Sequence, residues 1–209
     1  MVGGEISIQP GVVDKGVYVL TASIAGIFDR GKIIDGSKIK SSDKILALAS
    51  NGLHTNGYSL VRFLMDVMPQ IQNERFDNET FIEAVMKPHT PYYKAIKGLF
   101  ANDSLHGMAH ITGGGIEGNL SRIMPDGLSA RIDGSVVIPP IFRHIKSTGS
   151  ISEDEMLKTF NCGAGLILVA DPKAETLVTA AVSKHHKCYT IGEVVQGSSA
   201  VTFENKLNW

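Results

Sequence analysis

The sequence has few of the features that mark secreted, membrane or nucleic-acid-binding proteins. It contains two cysteines among 209 residues, which are too few for a disulfide framework or a zinc site. Its formal net charge is -1, so no basic field favours nucleic acid. No apolar run approaches the roughly 20 residues that span a bilayer, and residues 1–5 do not resemble a signal peptide. A reduced, cytoplasmic setting without membrane or nucleic-acid partners is expected.

The composition is that of an ordinary globular protein. Hydrophobic residues make up 43% and charged residues 20% of the chain, enough to bury a core in one large or two small domains. Strand-like and helix-like patterns alternate along the sequence. The fold class that this mixture predicts is α+β (α/β layered), with a mixed sheet covered by helices.

A glycine-rich stretch between a strand and a helix is the strongest local signal. The apolar run 105–111 predicts a strand, three glycines follow at Gly113, Gly114 and Gly115, and apolar residues at helical spacing come next. Glycines let the backbone approach an anion closely, and a helix start adds free N–H donors. The loop is therefore a candidate phosphate site, although a flexible turn that only reverses the chain has the same composition.

A second strand, loop and helix occur earlier in the chain. Residues 44–50 predict a buried strand, and an apolar stripe from Val61 to Ile71 predicts the helix. The loop between them offers hydroxyl, amide and imidazole groups beside the helix start, at His54, Thr55, Asn56 and Ser59. These groups fit a ligand site, and they fit simple helix capping equally well. Residues 32–34 predict a further short strand.

Six motifs in one order resemble a known family. They are Gly3-Gly4-Glu5 with Pro10-Gly11; Ile33-Ile34-Asp35-Gly36; Gly52-Leu53-His54-Thr55-Asn56-Gly57-Tyr58-Ser59; Pro88 with Tyr92 and Lys94; His110-Ile111-Thr112-Gly113-Gly114-Gly115 with Asn119; and Thr159-Phe160-Asn161 with Gly163 and Gly165. Together they resemble the C-terminal part of the phosphoribosylformylglycinamidine cyclo-ligases, also called aminoimidazole ribonucleotide synthetases.

The resemblance implies a reaction. Members of this family use ATP to phosphorylate the amide oxygen of formylglycinamidine ribonucleotide, and a neighbouring nitrogen then closes the imidazole ring. Such phosphoryl transfer depends on cradled phosphates, Mg²⁺ and positioning. The implied partners are a nucleotide substrate and, for the full-length protein, a second copy in a homodimer.

The resemblance also implies roles for individual residues. His54 and His110 are the candidate acid/base groups, because imidazole titrates near neutral pH; the alternative for either is a buried histidine satisfied by a carbonyl. Glu5 is the candidate Mg²⁺ ligand, with a solvated loop acid as the alternative, and Ile6, Ile8 and Gln9 depart from the family pattern beside it. The expected substrate and phosphate contacts are Thr55, Asn56, Gly57, Ser59, Thr112, Gly113, Gly114, Gly115, Asn119 and Asn161.

The family's N-terminal domain, which carries much of its ATP site, is expected to be absent from this chain. Residues 1–16 are expected to be the remnant of the inter-domain segment and residues 17–209 the C-terminal domain, and the chain is expected to be inactive alone. Two alternatives stay open: another ATP-using enzyme of the superfamily, such as a thiamine-monophosphate kinase or selenophosphate synthetase, and a non-catalytic phosphate-binding module.

Overall fold

A mixed β-sheet forms the centre of the protein in a computed structural model that describes residues 25–76, 78–198, 201–205 and 207–209. The strands of this described part are Lys44–Ala49 (β1), Arg75–Phe76 (β2), Glu79–Thr80 (β3), Leu105–His110 (β4), Leu128–Ile132 (β5), Ala164–Ala170 (β6), Cys188–Gln196 (β7) and Val201–Phe203 (β8). Six of them form the sheet, in the order β4-β6-β1-β7-β5-β8. All neighbours are antiparallel except β5 and β8, which are parallel. β2 and β3 form a separate small ladder.

Helices cover both faces of this sheet. The α-helices of the described part are Tyr58–Val67 (α1), Phe81–Val85 (α2), Tyr93–Ile96 (α3), Gly115–Leu120 (α4), Pro140–Thr148 (α5), Glu153–Thr159 (α6) and Glu175–Val182 (α7). Short 3₁₀ helices occur at Arg30–Lys32, Pro69–Asn73, Lys97–Leu99, Ser121–Ile123 and Pro172–Ala174. The α+β class with a helix-covered mixed sheet is thereby confirmed.

The two faces of the sheet bury two separate cores. Successive side chains of β1 alternate between them, with Ile45 and Ala47 in the larger core and Leu46 and Leu48 in the smaller one. This alternation follows from the two-residue period of a strand. Every residue of β6 is buried, which explains its continuous apolar sequence.

Strand β6 places two loops at one edge of the sheet. It pairs with β1 on one side and with β4 on the other, antiparallel in both cases. β1 and β4 therefore run in the same direction, and their carboxyl ends lie at the same edge. The loops that contain His54 and Gly113 both leave the sheet there.

Two local predictions were wrong. Residues 32–34 form no strand, because the Lys32 amide donates to the Asp29 carbonyl at 2.9 Å and closes a 3₁₀ turn instead. The helix predicted through Ile71 ends at Val67, since Pro69 has no N–H group to continue it and begins a 3₁₀ helix.

Candidate functional site

The two predicted loops contact each other at the sheet edge. A Cβ atom built on Gly113 would lie 3.1 Å from the Asn56 side-chain nitrogen. Thr55, Gly113 and Gly114 are exposed, and Asn56 and Thr112 are half-buried. Polar groups of both loops therefore line one shared surface.

The glycine loop packs tightly against α6. Gly114 and Gly115 have positive φ angles of 94° and 61°, and a Cβ on Gly115 would lie 1.7 Å from the Leu157 carbonyl oxygen. The Gly114 amide donates to the Lys158 carbonyl at 2.9 Å and the Gly115 amide to the Thr112 carbonyl at 3.0 Å. These two donors are already used by the fold.

The amides that form no hydrogen bond precede and follow the amides of Gly114 and Gly115 in the sequence. Within the described part of the chain, the N–H groups of Gly113, Ile116 and Glu117 form no hydrogen bond. The amides of Ile116 and Glu117 are in the first turn of α4, where free donors are expected. The Glu117 carboxylate is exposed on the same turn and opposes an anion there.

Asn119 holds the glycine loop in shape. Its side-chain nitrogen donates to the carbonyls of Thr112, Gly113 and Gly115 at 3.3, 3.2 and 2.8 Å, and its side-chain oxygen accepts from the Thr112 hydroxyl at 3.2 Å. Because Asn119 is buried and bonded on both atoms, it positions the loop from beneath.

Asn161 holds the other loop in the same manner. Its nitrogen donates to the carbonyls of Gly52 and Leu53 at 2.9 and 3.2 Å, and its oxygen accepts from the Ser50 hydroxyl and the Gly163 amide at 2.7 and 2.9 Å. The side chain is buried. Like Asn119, Asn161 connects backbone segments below the shared surface.

The remaining predicted contacts lie around the start of α1. The hydroxyl of Thr55 donates to the Asn56 side-chain oxygen at 3.3 Å, and Ser59 is exposed on α1. Gly57 has a φ of 84° and a Cβ there would lie 2.0 Å from the Phe160 ring. Gly57 thus permits a close turn, while Thr55, Asn56 and Ser59 present polar atoms. Glu5 lies outside the described residues.

Three histidines meet beside these loops. His54 and His110 come from the two predicted motifs, and His89 joins them from the segment between α2 and α3. One ligand-type nitrogen from each ring lies within 4.8 Å of the others. The Nε2 atoms of His89 and His110 are 3.1 Å apart, and the ring centroids of His54 and His89 are 4.0 Å apart.

The surroundings of His54 and His110 favour the neutral form of both rings. The pKa of His54 is lowered to about 4, first by burial and then by the neighbouring His89 and His110. The pKa of His110 is also lowered, mainly by burial and secondly by His89. Removing an imidazole from water disfavours its charged form, and a second potential cation adds to that effect.

His54 is in an unusual position. Its backbone has a φ of 61°, a left-handed conformation that is costly for a residue other than glycine. The residue is 5% exposed, and neither ring nitrogen has a hydrogen-bond partner in the described part of the chain. The ring is close to Gly165, where a Cβ would lie 2.6 Å from His54 Cε1.

Sequence reasoning missed His89, which fitted no motif strongly. It follows Pro88 directly, and the resemblance had already placed Pro88 and Tyr92 in a shared motif. Tyr92 is buried, donates its hydroxyl hydrogen to the Ala49 carbonyl at 3.0 Å, and has its ring 6.2 Å from that of His89. The adjacency of His89 to this motif was the available signal.

The cysteines do not belong to the site. Burial raises the pKa of Cys162 to about 12 and that of Cys188 to about 11. Both thiols are therefore protonated at neutral pH and poorly nucleophilic.

No helix among the described residues is long and apolar enough to cross a membrane.

Comparison with known proteins decides the family. Residues 40–204 match the family described as "AIR synthase related protein, C-terminal domain". The chain belongs to this family. The match covers both loops and all three histidines of the cluster, so the AIR synthase-type resemblance deduced from motifs is confirmed.

Two curated relatives of this AIR synthase-type domain are named as the same enzyme. The chain is 40% identical over 196 residues to a phosphoribosylformylglycinamidine cyclo-ligase of Methylobacillus flagellatus, covering 93% of this chain and 57% of the relative. It is 38% identical over 206 residues to a chloroplastic/mitochondrial one of Vigna unguiculata, covering 97% and 53%. The chain thus spans about half the length of the curated relatives that it matches.

Solved structures share the fold at low sequence identity. A thiamine-monophosphate kinase from Stenotrophomonas maltophilia matches with a TM-score of 0.57 at 16% identity, covering 87% of this chain and 56% of the other. The hydrogenase maturation protein HypE in complex with ATP matches with a TM-score of 0.54 at 16% identity, covering 81% and 49%. These similarities establish the AIR synthase-type fold.

Proposed function

We propose that this domain supplies the C-terminal half of an enzyme that converts formylglycinamidine ribonucleotide to aminoimidazole ribonucleotide with ATP, as a step of purine synthesis. The observation that carries the proposal is the meeting of two polar loops at one sheet edge, in a domain whose relatives at 38–40% identity are named cyclo-ligases. The shared surface is the place for the anionic nucleotide.

The substrate contacts divide into direct and indirect ones. Thr55, Asn56 and Ser59 offer side-chain atoms, and the amide of Gly113 offers the opposing donor. The Thr112 hydroxyl lies beside it and already donates to Asn119. Asn119 and Asn161 act through the loops whose carbonyls they bind. The phosphate of the nucleotide would meet the free amide of Gly113, which is exposed in the glycine loop.

His54 and His110 remain the candidates for proton transfer. Ring closure requires loss of a proton from the attacking nitrogen, and a neutral imidazole accepts one. The lowered pKa of each ring favours its neutral form. His110 is the exposed member of the pair, so it is the one placed to touch a bound substrate.

ATP, Mg²⁺ and a second copy of the enzyme belong to the same proposal. The reaction that the family resemblance implies closes a ring at the expense of ATP, and Mg²⁺ neutralises the charge of the transferred phosphoryl group. Glu5 is the proposed Mg²⁺ ligand because a carboxylate suits that ion. A homodimer and a cytoplasmic location complete the proposal.

The alternatives receive less support. Similarity to thiamine-monophosphate kinase is one of fold at 16% identity, whereas the curated relatives are more than twice as similar in sequence. A non-catalytic phosphate-binding module would retain the loops, but nothing in their geometry favours it over the cyclo-ligase.

Calorimetric titration with formylglycinamidine ribonucleotide tests the proposal. We expect the chain to bind it, and Thr55→Ala to weaken binding about tenfold, as for loss of one hydrogen bond to a charged group. Thr176→Ala is the matched control, since Thr176 is also exposed but lies on α7. Thiamine phosphate serves as the competing ligand.

Turnover provides a second readout. Mixing the chain with the N-terminal part of the Methylobacillus relative should yield aminoimidazole ribonucleotide from the substrate and ATP. Absence of both binding and product, or equal loss in Thr55→Ala and Thr176→Ala, would contradict the proposal.

A further inference from the structure

The cluster of His54, His89 and His110 has the composition of a metal site. All three side chains offer imidazole nitrogen, which suits Zn²⁺ and other divalent transition ions. Mg²⁺ instead requires oxygen ligands. A metal held here would therefore differ in kind from the magnesium that phosphoryl transfer uses.

One distance in the cluster already fits such an ion, and small side-chain shifts would bring all three nitrogens within reach of it. Zn–N bonds of about 2.0–2.1 Å in a tetrahedral site separate the ligand atoms by about 3.3 Å. The His89 and His110 Nε2 atoms are 3.1 Å apart, and the full set lies within 4.8 Å. His89 and His110 are the more exposed rings, so they can close on an ion that enters from solvent.

The hydrogen bonding of His89 prepares it as a ligand. Its Nδ1 lies 2.8 Å from the Thr90 carbonyl oxygen, and a carbonyl can only accept, so this nitrogen carries the proton. The lone pair is then on Nε2, which faces His110. Metal-binding histidines typically donate their second ring N–H to a backbone carbonyl in this way, which fixes the tautomer.

His54 supplies a second, independent observation. It is 5% exposed, and both of its ring nitrogens are buried without a partner among the described residues. Leaving a buried polar atom unsatisfied costs about 1–3 kcal/mol, and such atoms call for a physical explanation. A metal ion bound to one nitrogen would satisfy it.

We propose that His54, His89 and His110 bind one divalent transition-metal ion, with zinc as the best-suited ion, leaving a fourth coordination position open toward solvent. This goes beyond the proposed function and does not depend on it. Because a bound metal occupies the same lone pairs, metal binding and proton acceptance by these imidazoles exclude each other. Zinc would thus inhibit any step in which His54 or His110 acts as a base.

Titration of the metal-free chain with Zn²⁺ tests the proposal. We expect a one-to-one complex, and a loss of affinity of at least about tenfold in His89→Ala, since removing even an outer partner of a metal site costs that much. His110→Ala should show the same loss. Circular dichroism would establish that each variant is folded.

His185→Ala is the matched control, because His185 is exposed and lies outside the cluster; its affinity should equal that of the unmodified chain. Co²⁺ gives a spectroscopic readout, with the intense visible absorption of tetrahedral coordination in the unmodified chain and its loss in His89→Ala. Failure to bind Zn²⁺, or equal binding by His89→Ala and His110→Ala, would overturn the proposal. Neither result would bear on nucleotide binding.

Discussion

Strand β4 carries a histidine near each end, and the two have opposite surroundings. His106 is buried, and its Nδ1 lies 2.6 Å from Oδ2 of Asp43, a residue that is also fully buried. His110, at the other end of the strand, contacts another histidine, His89. A carboxylate faces the first ring and an imidazole faces the second.

The difference separates a structural histidine from one available to a ligand. Asp43 also accepts a hydrogen bond from the Lys40 amide at 3.0 Å. The pair of Asp43 and His106 therefore stabilises the turn that precedes β1. In the cluster, His54 has two buried nitrogens without a partner in the described residues. Burial of a histidine alone is therefore uninformative, and the identity of its partner indicates its role.

The largest expected effect on stability concerns the buried pair of Asp43 and His106. Asp43→Ala should destabilise the protein by about 3–5 kcal/mol, because it removes one partner of a buried pair and leaves the other without compensation. Urea unfolding followed by circular dichroism measures the change. Asp103→Ala is the control, since the Asp103 side chain is 99% exposed in its ion pair with Lys38 and should have no measurable effect. A cost below about 1 kcal/mol for Asp43→Ala would remove the contrast between the two regions.

The second effect concerns the loop that carries His54. Asn161→Ala should cost about 3 kcal/mol, because the buried carbonyls of Gly52 and Leu53 and the Ser50 hydroxyl lose their partner. The control is Asn205→Ala, since the Asn205 side chain is exposed and makes one bond to the Asp133 carbonyl. Equal stability of the two variants would show that Asn161 does not support the cluster.

The third effect tests how closely the cluster is packed. Gly165→Ala should cost about 2 kcal/mol by overpacking, because its Cβ would lie 1.9 Å from the Tyr92 hydroxyl oxygen and 2.6 Å from His54. Gly98→Ala is the control, as a Cβ there meets no atom within 4 Å among the described residues. Thermal unfolding of the pair gives the comparison, and a Gly165→Ala protein as stable as Gly98→Ala would mean that the His54 ring has free space.

The sequence predicted the parts of the fold that depend on local pattern. The apolar runs at β1 and β4 predicted strands because most side chains on both faces of each strand are buried. Pro69 is a signal in the sequence for the end of α1, but the apolar stripe continues to Ile71 and predicted a longer helix. The order of strands was not predictable, since pairing of β5 with the distant β8 depends on contacts that no local pattern encodes.

The sequence predicted that the two loops meet, and it predicted fewer of the contacts that hold them in place. The motifs placed His54, His110 and the glycines together, but they assigned Asn119 and Asn161 to the ligand, whereas the structure uses both side chains to bind backbone carbonyls. The number of cysteines argued against zinc, but a site built from imidazoles does not depend on cysteine. The adjacency of His89 to the Pro88 motif gave one signal, but its position beside His54 and His110 depends on the packing of α3 against the sheet, which no local pattern encodes.

The smallest expected effect is that of removing His89, and it is best measured against the removal of His106. His89→Ala, measured in metal-free protein, should change stability by no more than about 1 kcal/mol, since it removes one short-range hydrogen bond to the Thr90 carbonyl. His106→Ala in the same experiment should cost more, because it leaves the buried Asp43 carboxylate without its partner. Denaturant titration of both variants gives the ranking. If His89→Ala were the more damaging change, the cluster would be a structural element like the His106 pair, and its unpartnered nitrogens would have to be explained by packing alone.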